Sequence, residues 1–142
     1  MTIKPFSRKA NFYETDQMGI IHHSNYIRWF EEARVHYMEQ IGYGYEKAVE
    51  LGIDFAVLSA HCEYKSMVRF NEVVNISVTL SELTNMKVTL DYEIVNVKTG
   101  ELCNTGYTRH CFFDNKRQRP VSLKKEVPQL FELFSSLLKK PS

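Results

Sequence analysis

The sequence predicts an α+β domain in which an antiparallel sheet of five strands wraps one long, buried helix. Three observations carry this expectation. First, the run from Asn25 to Ile41 places Tyr26, Trp29, Phe30, Ala33, Tyr37 and Ile41 on one helical face, and Ile27, Val35 and Met38 widen the apolar stripe. A stripe that wide belongs to a helix enclosed by its surroundings. Second, Val74, Ile76, Val78 and Leu80 alternate with Val73, Asn75, Ser77 and Thr79, and Met86, Val88, Leu90, Tyr92 and Ile94 alternate with Lys87, Thr89, Asp91 and Glu93. A period of two with one wet face marks half-buried antiparallel strands. Third, Thr84-Asn85 and Lys98-Thr99-Gly100 are turn signals at the ends of these runs, which join them into a meander.

Taken in order, Ser7 to Tyr13 is expected as a strand. Gly19 then supplies a residue free to take positive φ, which suits a sharp turn after Asp16. Ser24 or Asn25 is placed to cap a helix starting at Asn25 or Tyr26, and Gly42 to end it. A shorter helix is expected over Tyr45 to Glu50, stopped by Gly52. Ile53 to Tyr64, with Phe55, Val57 and Leu58, is a strand, and so is Glu101 to Phe113, where Gly106 suggests a bulge or a bend. A basic loop from Asn115 to Arg119 closes at Pro120. Leu130, Phe131, Phe134, Leu137 and Leu138 give Val127 to Leu138 helical spacing. No linker, repeat or low-complexity segment interrupts the chain, so residues 1–142 are expected to form one domain.

Composition narrows the function. A formal charge of +1 lacks the basic excess of a nucleic-acid-binding domain. No apolar run approaches the roughly 18 residues of a membrane span, and Met1 to Phe6 lacks a signal-peptide apolar segment. Cys62, Cys103 and Cys111 are odd in number and show no C-x-x-C spacing, which indicates neither a disulfide framework nor a zinc site. A reducing cytoplasm is the expected compartment.

The stretch from Tyr13 to Tyr26 carries the chemistry. It delivers the carboxylate of Asp16, a glycine turn at Gly19, the pair His22-His23 and the start of a helix at Ser24, Asn25 and Tyr26. An acid, an imidazole and unpaired helix N-terminal amides can together attack a carbonyl and stabilise the oxyanion that forms. Without a carboxylate or cysteine at ligand spacing from the histidine pair, no metal is expected. His61 and His110 lie within strands and read as satisfied sheet residues. Glu31 and Glu32 are candidates for a second acid, although an ion pair from Glu31 to Arg34 is the plainer expectation. Trp29, Phe30, Tyr37, Phe55 and Met18 are candidates for an apolar pocket, or simply for the core.

The pattern Tyr13-x-Thr15-Asp16-x-x-Gly19-x-x-x-His23-x-x-Tyr26, followed by Glu31-x-Ala33-Arg34, resembles the hot-dog-fold acyl-CoA thioesterases. Within these it is most similar to the 4-hydroxybenzoyl-CoA thioesterase type, including the small bacterial thioesterases of the Tol–Pal neighbourhood. The resemblance implies the hot-dog fold and hydrolysis of an acyl-CoA with no cofactor beyond the coenzyme A of the substrate. It places the family acid on Asp16 and the family histidine on His23, with oxyanion or turn roles for Gly19, His23, Ser24, Asn25 and Tyr26. It further implies a homodimer or homotetramer with active sites at subunit interfaces. Lys65, Arg69, Lys116, Arg117 and Arg119 are the basic residues available for coenzyme A phosphates. Two departures stand out: Met67-Val68-Arg69 where many relatives have a proline, one small residue and arginine, and His22 where many have an aromatic residue. The alternative from another class is a non-catalytic module that binds acyl-CoA or acyl carrier protein on the same fold. An acyl dehydratase is a third reading, disfavoured by the Asp16-x-x-Gly19 turn.

Overall fold

The computed structural model describes residues 2–139. Its elements are β1 (Phe6–Lys9), α1 (Ser24–Gln40), α2 (Tyr45–Leu51), β2 (Ile53–Tyr64), β3 (Val73–Leu83), β4 (Lys87–Asn96), β5 (Leu102–Asp114), β6 (Arg119–Pro120), α3 (Leu123–Glu126) and α4 (Pro128–Leu137). The long strands form one antiparallel sheet in the order β1-β3-β4-β5-β2, and the two-residue β6 adds to β5. The meander expected from the turn signals is β3-β4-β5. β2 instead crosses over to pair with β5, which leaves it on an outer edge.

Register shifts interrupt the ladders between Val57 and Ser59, between Leu80 and Glu82, and between Ile94 and Val95. Such bulges increase local twist, and the sheet curls around α1. The inward positions Val74, Ile76, Leu80, Val88, Leu90, Tyr92 and Ile94 are buried against Trp29, Phe30, Ala33 and Tyr37 of the helix. Phe30 lies flat on Tyr92, with ring centroids 4.4 Å apart. Gly106 is no bulge, because the β4 and β5 ladders run through it in register. Its role is close approach: a Cβ there would lie 2.5 Å from Phe30 Cε2 and press on the His61 carbonyl. The helix seats on the sheet at that point.

The expected first strand ends early. Pairing with β3 stops at Lys9, and Phe12–Glu14 turns as a 3-10 helix, which carries Glu14 into the interior while Phe12 and Tyr13 stay exposed. The C-terminal helix begins with Pro128 at its first turn, and the short α3 before it is capped by the Ser122 side chain. The helical spacing from Val127 corresponds to α4, whereas α3 was not among the expected elements.

Candidate active site

Between the 3-10 turn and α1 the chain makes a small closed structure. The Asp16 N–H donates to the Ile20 carbonyl at 2.8 Å, and the Gly19 N–H to the Asp16 carbonyl at 3.0 Å. Gly19 takes φ of 78°, the left-handed conformation that glycine adopts without strain. The Met18 N–H donates to Asp16 Oδ1 at 2.8 Å, an Asx-type contact that fixes the carboxylate's rotamer. Thr15 bridges to Ile21, and Ile20 to Arg69, so the turn is tied to the segment that follows β2.

Helix α1 then begins, with His23 at the N-cap position. Neither Ser24 nor Asn25 caps it as expected, since no side chain of the cap residue bonds to the helix. The Asn25 side chain, buried, donates to the Glu14 carbonyl at 2.9 Å. The Asn25 N–H donates to the His22 carbonyl at 3.0 Å, the Tyr26 N–H to the His23 carbonyl at 3.4 Å, and the Ser24 N–H to His22 Nδ1 at 3.1 Å. Among the described residues, the His23 N–H alone of this group has no acceptor.

These residues converge on a cleft of about 280 Å³ lined by Asp16, Ile20, Ile21, His23, Tyr26, Tyr64, Lys65, Ser66 and Met67. Asp16 and His23, predicted from spacing, therefore face one space together with Tyr26 and Lys65. Burial pushes the Tyr26 phenol up to about 12, so it serves as a neutral wall of the cleft. Tyr64 packs edge-on against Tyr26 and His23, and its hydroxyl donates to the His23 carbonyl over a long 3.4 Å. Tyr64, Ser66, Ile20 and Ile21 were not singled out from sequence, and Met67 only as a departure from the family pattern; the alternation of β2 gave no sign that its last residue meets the helix start.

Behind the cleft lies a buried ionic network. The Glu14 carboxylate accepts from Trp29 Nε1 at 2.8 Å, from the Asn11 N–H at 2.9 Å and from both terminal nitrogens of Arg8. Burial alone would raise the Glu14 pKa, but the bonds from Trp29, Asn11 and Arg8 outweigh it and hold the carboxyl below its usual range. Arg8 also donates to Glu32 at 2.9 Å. Glu32 is thus spent on structure, and among the described residues no ion pair joins Glu31 to Arg34. Trp29, Phe30 and Tyr37 are core, whereas Met18 lies exposed beside the Asp16 turn and Phe55 is half-buried at the other end of β2.

The basic residues divide. Lys65 lines the cleft and pairs with Glu63, and Arg69 adjoins the Ile20 segment. Lys116, Arg117 and Arg119 follow Asp114, which pairs with Ile53, whereas the cleft lies at the Tyr64 end, where Tyr64 pairs with Asn104. Within one subunit that loop is roughly 30 Å from the cleft at about 3.3 Å per residue. Arg117 is held there by Glu126 and Asp114. His61 stacks on Tyr107 at the surface. His110 is fully buried, bonded through Nε2 to Thr108, but its Nδ1 has no partner, so it is only half satisfied. Burial first, and the Arg34 charge second, pull its pKa down to about 4 and keep it neutral.

Comparison with known proteins settles the family. A family model described as the thioesterase-like superfamily matches residues 10–131. The chain belongs to the thioesterase-like superfamily. This thioesterase-like chain is 35% identical over 127 residues to an inferred esterase of Aquifex aeolicus, covering 89% of this chain and 96% of that protein. It is 21% identical over 124 residues to the acyl-CoA thioester hydrolase YbgC of Escherichia coli, covering 87% and 92% of the two chains. Among solved structures, the DHNA-CoA thioesterase of Staphylococcus aureus superposes with a TM-score of 0.87 at 31% identity, over 94% of this chain and 89% of that one. The α+β architecture is that of the hot-dog thioesterases.

Proposed function

We propose that this chain, a thioester hydrolase by family, cleaves a small or medium acyl-CoA to free acid and coenzyme A in the cleft between the Asp16 turn and the start of α1. The observation that carries the reading is that Asp16 and His23 line one cleft and that, among the described residues, the His23 N–H has no acceptor. Asp16 attacks the thioester carbonyl carbon itself, or takes a proton from a water that does so. Either route forms a tetrahedral intermediate whose oxyanion accepts from the His23 N–H, a donor worth roughly 3 kcal/mol in comparable sites. Collapse breaks the C–S bond and expels the coenzyme A thiolate, a good leaving group because thiol pKa values lie near 8.5. In the direct route, water then hydrolyses the mixed anhydride on Asp16. The His23 ring, on the cleft wall beside Tyr64, orients water or the departing sulfur. No cofactor is needed beyond the coenzyme A of the substrate.

The edge of β2 supports a dimer with sites at the interface. It is 12 residues long, its outer side carries no strand among the described residues, and Val57 and Leu58 are 55% and 51% exposed. Long apolar edges invite pairing with a second copy. Antiparallel pairing of β2 with its copy would carry the Ile53 end of one subunit toward the Tyr64 end of the other. Lys116 and Arg119 of one subunit would then approach the other's cleft, joining Lys65 and Arg69 around the coenzyme A phosphates. The three cysteines are free, in keeping with a reducing cytoplasm.

The test is thiol release from a panel of aromatic and aliphatic acyl-CoA esters. Wild type should hydrolyse at least one, and Asp16→Asn, which keeps an acceptor for the Met18 N–H, should fold normally and lose on the order of 10²–10⁴-fold in kcat. Retained hydrolysis by Asp16→Asn would remove Asp16 from the chemistry.

A further inference from the structure

His22 takes no part in the chemistry above, yet among the described residues its ring is the side chain that accepts from a first-turn amide of α1. Nδ1 lies 3.1 Å from the Ser24 nitrogen and 2.8 Å from Ser24 Oγ. A backbone N–H can only donate, so Nδ1 is an acceptor and the ring proton sits on Nε2. Helices are usually capped by a serine, threonine, aspartate or asparagine oxygen; here the cap residue His23 supplies none, and the preceding imidazole takes the place. The main chain of His22 is engaged as well. Its N–H donates to the Glu14 carbonyl at 2.8 Å, and its carbonyl accepts from the Asn25 N–H at 3.0 Å. Its ring stacks on that of His23, with centroids 4.1 Å apart. One residue thus fixes the amides of Ser24 and Asn25 and the ring of His23, all within two positions of the free His23 N–H.

We infer that His22 is a positioning residue: its neutral imidazole caps α1 and holds the His23 amide in place, and protonating it switches turnover off. The inference rests on the reading of the His23 N–H as the oxyanion donor. A proton on Nδ1 would face the Ser24 N–H donor to donor, and the ring could no longer accept. It would also set a cation at the positive end of the helix dipole. The surroundings offer little to offset this. His23 is the stacked neighbour. Asp16, Tyr64 and Lys65 line the cleft with His23. The Glu14 carboxylate is turned inward onto Arg8, Asn11 and Trp29, and presents only its main-chain carbonyl to His22.

The test compares kcat from pH 5 to 9 for wild type, His22→Asn, His22→Phe and His23→Asn, on whichever ester wild type hydrolyses best. The ¹H–¹⁵N resonance of Ser24 is followed over the same range. Asparagine can accept from the Ser24 N–H but does not titrate; phenylalanine keeps the stack but cannot accept. Wild-type kcat should fall on acidification, toward about tenfold per pH unit for a single protonation, and the Ser24 resonance should inflect with it. His22→Asn should lose both the limb and the inflection, and retain about tenfold more kcat than His22→Phe at pH 8. A limb that persists in His22→Asn, or vanishes only in His23→Asn, overturns the inference, and so does equal kcat for the asparagine and phenylalanine variants. A wild type that hydrolyses no ester defeats the thioesterase reading and the switch together. A Ser24 resonance without inflection, beside active wild type, defeats the cap alone.

Discussion

Removing the Glu14 carboxylate should destabilise the protein far more than a surface charge would. Glu14 is 4% exposed, and three kinds of donor converge on it: Trp29 Nε1, the Asn11 N–H and the Arg8 guanidinium. Glu14→Ala strands the indole N–H of a fully buried Trp29 and leaves Arg8, whose side chain is 13% exposed, with Glu32 as its remaining carboxylate. Breaking a buried pair from one side costs about 3–5 kcal/mol, and because Glu32 keeps part of the compensation the expected loss is about 3 kcal/mol. With a urea slope of about 2 kcal/mol/M, the unfolding midpoint should fall by about 1.5 M. Trp29 is the sole tryptophan and a direct partner, so its fluorescence reports the transition. Glu14→Gln keeps an acceptor for Trp29 and should lose about half as much. The sign with pH follows from the depressed pKa. The carboxylate's contribution is complete above the unfolded carboxyl value, about 4.3, and is lost as pH falls through the lower folded value. The gap between wild type and Glu14→Gln should therefore close on acidification below about pH 4. At fixed protein concentration, an alanine variant within about 0.5 kcal/mol of wild type would refute the argument that this network holds the turn against the helix.

Three further outcomes follow from the geometry. Gly106→Ala should cost about 3 kcal/mol, the upper end of overpacking penalties, because its Cβ meets Phe30 and the His61 carbonyl; a urea midpoint close to wild type would mean that α1 can lift off the sheet cheaply. Lysines at Val57 and Leu58 together should convert a dimer to monomers in sedimentation, and an unchanged mass would acquit the β2 edge. Lys65→Ala and Arg69→Ala should raise KM for a coenzyme A ester several-fold with little change in kcat, and constants unmoved in both would exclude these side chains from the coenzyme A site.

The meander and the long helix were legible because the period of burial is strong and local. Val74 through Ile94 alternate on one face, and the stripe from Tyr26 to Ile41 is wide enough to demand enclosure. Pairing partners were not legible, since nothing in Ile53 to Tyr64 distinguishes a neighbour in β3 from one in β5. The apolar run that made this segment a strand also hid that it is an edge, with Val57 and Leu58 outside. The first strand was misjudged at its end for a related reason. Phe12 and Tyr13 look like strand residues, but the chain turns to bury Glu14, and a carboxylate inside is intelligible only once Arg8 and Trp29 are seen around it.

At the site, residue types at fixed distances were sufficient to bring Asp16 and His23 to one cleft, because a short glycine turn and a helix start leave little freedom between them. Hydrogen-bond occupancy is another matter. Several amides near His23 were equal candidates as oxyanion donors in sequence, and they become unequal only through tertiary acceptors: the His22 carbonyl takes Asn25, the His23 carbonyl takes Tyr26, and the His22 ring takes Ser24. Among the described residues one unengaged N–H of this group remains, and the same bonds that occupy its neighbours hold it still. A donor that costs no reorganisation as charge develops is what electrostatic catalysis requires. The residues that matter to the oxyanion are therefore the ones that remove its competitors, and His22 is the one among them that does so through its side chain.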